Sequence, residues 1–139
     1  MLAKFLELLR RDRQQPGPEL LGRPPIRREK AYAADSGYVY QYTYEGYRAA
    51  TRSDSVGREF VFECTSDRAA RFRLAVFAPD ESFAAWERSA GRDLNAVERY
   101  AIVKMQLFAI LDESEHIRHD GEWPLTAEQV ERHVAELDL

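Results

Sequence analysis

Two of the chain's three histidines stand in an acidic run, Asp112 to Glu122 (DESEHIRHDGE). Imidazole with carboxylate is a ligand set that suits Zn²⁺, Mn²⁺ or Fe²⁺. On a continuing helix Asp112, Glu115, His116 and His119 share one face. Glu113 and His116 also make one Glu-x-x-His step, where a di-iron bundle needs two and further glutamates. His133 is the remaining histidine, and no His-Glu-x-x-His is present. The segment therefore reads first as a solvated, acidic helix end and second as a metal site.

A different chemistry is offered by Tyr38, Tyr40, Tyr42 and Tyr44, which alternate with other residues in GYVYQYTYEGYR. A period of two puts all four rings on one face of a strand. Three readings apply: core aromatics, the wall of a small-ligand pocket, or a stacking platform for single-stranded nucleic acid. The row shares the parity of the apolar faces on neighbouring strands, which favours the core. Lys104 stands on a helical projection among Tyr100, Ala101, Leu107, Phe108 and Leu111. Either its stem crosses apolar surface to bring the ammonium to water, or the ammonium faces a tyrosine-lined cavity and holds an acidic ligand. Cys64, on the apolar side of its strand with no histidine nearby in sequence, reads as an inert buried thiol. The sequence holds no Gly-x-Ser-x-Gly, phosphate-cradling glycine loop, Cys-x-x-Cys or dinucleotide fingerprint, so no catalytic residue or cofactor is assigned.

These residues need a scaffold, and its central piece is Asn95–Glu113. Asn95 and Glu98 form a capping box, and the apolar arc that follows is wide enough to be covered by several elements. This helix is expected to run on past Glu113 towards Asp120. Before it, Pro79 and Asp80 open a helix through Ala90, with Phe83 and Trp86 inward and Gly91 as its stop. After it, Thr126 with Gln129 starts a last helix bearing Ala127, Val130, Val134 and Leu137. Arg58–Thr65 and Arg71–Phe77 alternate as strands. A turn near Asp67 or Arg68 aligns Phe60, Phe62 and Cys64 with Phe72, Leu74 and Val76 and brings Glu59 and Glu63 towards Arg71 and Arg73. The tyrosine strand joins them through a connecting loop at 49–57, with Gly46 permitting a bend or bulge. Arg27–Ala34 leans towards an edge strand. The expected fold is α+β: a three- to four-stranded antiparallel meander covered by two or three C-terminal helices, with a separate N-terminal amphipathic helix.

The domain division follows: residues 1–13 an amphipathic helix with Leu2, Phe5, Leu6 and Leu9 on one face, 14–26 a Pro/Gly linker, and 27–139 one α+β domain. At 139 residues, with 45% apolar and 32% charged residues, the chain can bury a sizeable core. No apolar run reaches bilayer length and no secretory signal is evident. A single cysteine permits no intrachain disulfide, which fits a cytoplasmic setting. The net charge of −4 hides a basic head and an acidic remainder. That balance argues against general nucleic-acid binding and allows the two ends to attract each other within or between copies.

Together these features point first to a non-enzymatic interaction or accessory module whose partner is another protein or a second copy (a homodimer), with Leu2, Phe5, Leu6 and Leu9 as the contact face. The alternatives are a small-ligand binder or enzyme built around Lys104 and the tyrosines, and a metal-binding protein using 112–120.

Overall fold

The computed structural model describes residues 19–113 and 117–139. In chain order the elements are β1 (Lys30–Ala33), β2 (Val39–Arg52), β3 (Ser55–Thr65), β4 (Phe72–Pro79), α1 (Asp80–Ala90), α2 (Ala96–Glu113), β5 (Gly121–Pro124) and α3 (Ala127–Glu136). The architecture is α+β, a five-stranded sheet in the order β1-β2-β3-β4-β5 with helices on one face. Four strands form the antiparallel meander, in the register Phe60↔Val76, Phe62↔Leu74 and Cys64↔Phe72.

The expected three or four strands become five. β5 lies parallel to β4, pairing Val76 with Trp123. Residues 117–120 are not helical, so the helix does not run on to Asp120. Four residues ending in proline carry too short an alternation to announce a strand, and β5 is held by tertiary contacts. Trp123 packs on the core, while Glu122 on the other face meets Arg52 at 2.9 Å.

The expected loop at 49–57 is also strand. β2 and β3 stay paired to Arg52↔Ser55, leaving only Ser53 and Asp54 at the turn. Both take positive φ (47° and 65°), as a two-residue turn whose twist matches its strands requires. Ser-Asp carries a weaker signal for this turn than Asn-Gly or Asp-Gly. Midway along it, β2 has the bulge that Gly46 permits: the register shifts between Tyr44 and Gly46. One extra residue reverses parity, so Tyr47 rejoins the inner face opposite Phe60.

Helix ends follow the chemistry of their caps. Glu98 N–H donates to Asn95 Oδ1 (2.8 Å) and Asn95 N–H to Glu98 Oε1 (3.0 Å), which closes the box. Thr126 and Gln129 repeat it on α3, and Gly91 ends α1 in the left-handed conformation. On α2 the buried side chains are Ile102, Val103, Gln106, Leu107, Ile110 and Leu111. Lys104 therefore lies at the flank of the buried arc. The polar residue inside the arc is Gln106, whose Oε1 lies 2.7 Å from Nε2 of buried His133 on α3. A satisfied polar pair of this kind fixes how α3 sits on α2. Leu125 N–H to Phe77 O and Ser82 Oγ to Leu125 O tie the same helix to the sheet and to α1.

The face of the sheet away from the helices carries charge in a connected ladder. Glu59 accepts from Arg48 (3.0 Å) and lies 3.5 Å from Arg52, which also binds Glu122. Glu63 meets Arg71 at 3.2 Å, as the strand register implied. Glu59 does not meet Arg71 or Arg73: it stands opposite Phe77, and its partners come from β2.

Candidate functional site

The β2 bulge builds the site. It turns Glu45 into a position that is 1% exposed, and Arg23 reaches it at 2.8 Å while Arg27 bonds its other oxygen. A buried carboxylate without such partners would be costly, so this charge cluster pins the segment before β1 along the edge of β2. Leu21 adds two backbone hydrogen bonds to Tyr47 (2.7 and 2.9 Å). Gly46 is obligatory there. Its φ is 119°, and a Cβ would stand 2.5 Å from the Leu21 carbonyl oxygen.

Held in this way, the segment walls a groove against β2 and α2. One cavity of about 310 Å³ is walled by Pro24, Pro25 and Ile26 from the segment, Tyr42 and Tyr44 from β2, and Tyr100 from α2, with Arg28 and Lys30 completing it. A second, also about 310 Å³, adjoins it: Tyr44 and Tyr100 are shared, and Tyr47, Phe60, Phe83 and Val97 continue the wall, with Arg58 among its polar groups. The shared pair stands with ring centroids 4.8 Å apart. Each volume lies at the lower end of what small-molecule pockets occupy, and the lining, mostly apolar with a few placed polar groups, has their character. Ile26 and Val97 at the rims are 66% and 77% exposed.

Burial governs the protonation of these tyrosines. It pushes the Tyr42 phenol up to about 12 and raises those of Tyr44 and Tyr100 as well. At neutral pH all three are uncharged and can donate hydrogen bonds. Arg58 stacks on the Tyr47 ring at 4.6 Å. Lys30 pairs with Tyr42 across the strands and so points to the inner face. There it meets Lys104, which adjoins the first cavity through Lys30 rather than lining it, its ammonium 6.0 Å from the Phe108 ring centroid. Burial, and then the neighbouring Lys30 ammonium, hold the Lys104 ammonium below the ordinary lysine range.

The four tyrosines named from the sequence divide. Tyr42 and Tyr44 reach the cavities; Tyr40 is fully buried in the core, and Tyr38 packs at its margin, ring centroid 6.3 Å from that of Tyr40. Tyr47 and Tyr100 were missed as site residues. The glycine that allows a bulge was the available signal for Tyr47, because a bulge changes which residues share a face. Pro24, Pro25 and Ile26 fall in the expected linker, and nothing local in a proline-rich stretch shows that it is pinned by a distant carboxylate.

Of the metal candidates, Glu115 and His116 lie outside the described residues. Asp112 is engaged structurally: it accepts from the Tyr32 hydroxyl (2.7 Å) and the Asp35 N–H (3.0 Å), which holds β1 to the end of α2. His119 is exposed. Among the described residues no group of three or more His, Cys, Asp or Glu is placed to hold a metal ion. Leu2, Phe5, Leu6 and Leu9 also lie outside the described residues. Cys64 is buried, and that burial pushes its thiol up to about 12, so it has little thiolate at neutral pH. Among the described residues no helix is long and apolar enough to cross a membrane. The chain matches no protein-family model, no curated protein and no solved structure.

Proposed function

We propose that this chain is a binding protein for a small, largely apolar molecule, held in the tyrosine groove between β2, α2 and the 22–30 segment. The observation that supports it is the pair of adjoining apolar cavities sharing Tyr44 and Tyr100. Aromatic walls supply dispersion and apolar contact, and neutral phenols supply directional hydrogen bonds.

Titration with Nile red, a neutral dye that brightens in apolar surroundings, tests this. The expected result is saturable 1:1 binding that Ile26→Arg and Val97→Arg each weaken at least tenfold. Both positions are exposed, so the substitutions leave the fold intact by circular dichroism. Binding unchanged in both variants would place the dye elsewhere and remove the reading.

The self-associating module suggested first by the sequence is a separate proposal, because it rests on residues 1–13. Light-scattering masses of the full chain and of a chain beginning at Glu19 test it. A dimer that becomes a monomer on truncation supports it, and two monomers end it.

A further inference from the structure

Most cations of the sheet's outer face are matched with carboxylates, Arg73 excepted, whereas of those around the groove only Arg99 is, held by Glu87 among the described residues. Arg23, Arg27, Arg48, Arg52 and Arg71 all sit in ion pairs. Among the described residues Arg28, Lys30, Arg58 and Lys104 make no ion pair, and three of these four line the two cavities. Lys30 lines the first cavity opposite Tyr42, and Lys104 of α2 neighbours it there, so that two ammonium groups stand at one end of the groove. Like charges in contact destabilise the folded chain unless an anion joins them.

Resting on the groove reading above, we propose that the occupant is a carboxylate amphiphile of the fatty-acid class, its head group at Lys30 and Lys104 and its tail running past Tyr44 and Tyr100 into the second cavity. A carboxylate offers two oxygens and accepts charge-assisted hydrogen bonds from both ammonium groups. The Tyr42 hydroxyl, neutral and beside Lys30, is a further donor to the head group. Beyond it the lining is aromatic and aliphatic, which suits methylenes. The strand from Tyr42 to Tyr47 covers ~15 Å, which matches an extended tail of roughly ten to twelve carbons. Arg28 adds positive potential where the acid approaches.

Displacement of Nile red by straight-chain carboxylates of six to fourteen carbons, each beside the alcohol of equal length and below its micelle concentration, tests the assignment. Dodecanoate is expected to displace the dye at least tenfold better than dodecanol, with affinity rising along the series and levelling near twelve carbons. Lys30→Met and Lys104→Met should each remove most of the acid's advantage over the alcohol. Lys30 is an inward charge on an edge strand, a position that also guards against strand pairing. Light-scattering mass and Arg28→Ala therefore accompany it. Lys30→Met that dimerises yet keeps the preference for acid would overturn the head-group role. Acid and alcohol displacing equally would overturn the proposal while leaving the groove standing. Dye binding that no member of the series displaces would overturn the tail assignment, and no dye binding at all is the separate failure of the groove itself.

Discussion

The sheet's two surfaces handle charge in opposite ways. On the outer face Glu45, Glu59, Glu63 and Glu122 are matched by arginines from neighbouring strands and from the 19–29 segment. At the groove Arg28, Lys30 and Arg58 line the apolar cavities, and Lys104 adjoins them, with no ion pair among the described residues, while Arg99 beside them is held by Glu87. Paired charges hold backbone segments in place and are explained by the fold alone. Cations brought together beside apolar space are not, because the fold would be more stable without them. The contrast separates residues that build the molecule from those that make it receptive.

Breaking the structural side should have the largest effect. Glu45→Ala leaves Arg23 and Arg27 without their buried partner. Both arginines are about half exposed and can rehydrate, so the expected loss is about 2–3 kcal/mol, below the full cost of an orphaned buried charge. Thermal unfolding should shift down by roughly 10 °C. Nile red binding should fall with it, because the pinned segment walls the groove; a Tm within 2 °C of wild type would show that the segment is held by something else. Next comes Gly46→Ala, which meets both an unfavourable φ and the Leu21 carbonyl, for about 1–3 kcal/mol. Amide exchange should then speed up at Leu21 and Tyr47, and unchanged protection there would contradict the bridge.

On the groove side the sign reverses. Lys104→Met should keep or raise stability at pH 7, by up to about 1 kcal/mol, because it removes a half-buried ammonium facing another. The folded pKa of Lys104 is below the ordinary lysine value of 10.5, so the unfolded chain binds more protons between the two values. Wild-type stability therefore gains with rising pH in that window, and the variant's advantage should shrink as pH approaches 10. An advantage that is constant from pH 7 to 10 would assign it to packing instead. The smallest effect belongs to the ladder's exposed end: Arg52→Ala, with a partner shared with Arg48, should cost less than about 1 kcal/mol by urea denaturation and leave dye binding unchanged.

What the sequence made legible was local. Capping residues at Asn95, Thr126 and Gly91, and the alternation of Phe60, Phe62 and Cys64, are signals written within a few positions, and the structure agrees with them. What it hid depends on distant partners. β5 exists because β4 offers an edge, and Gln106 is buried because His133 meets it from 27 residues away. Lys104 stood out because an isolated charge among apolar residues is visible in any projection. Its neighbour Lys30 did not, since only the β1–β2 register reveals which face it takes. The groove was half legible for the same reason: Tyr42 and Tyr44 lie on a readable strand, whereas Tyr47, Tyr100 and the proline wall depend on a bulge and a buried carboxylate.

The strand lengths carry a consequence for how copies of this molecule can meet. The sheet ends in β1 and β5, each of four residues, and β1 covers β2 only from Val39 to Tyr42, so that beyond the Leu21–Tyr47 bridge Arg48–Arg52 is edge as well. Edges as short as β1 and β5 offer few unpaired backbone groups to a second chain. β1 turns Lys30 inward and β5 closes on Pro124, which has no N–H to give. Pairing through β1 or β5 is therefore a poor route to assembly for this fold, and Arg48–Arg52 of β2 is the stretch of backbone that a second strand could extend. Association between copies away from that stretch has to be made by side chains, on a face or through a segment, and its geometry is open to point mutation in a way that a backbone ladder is not.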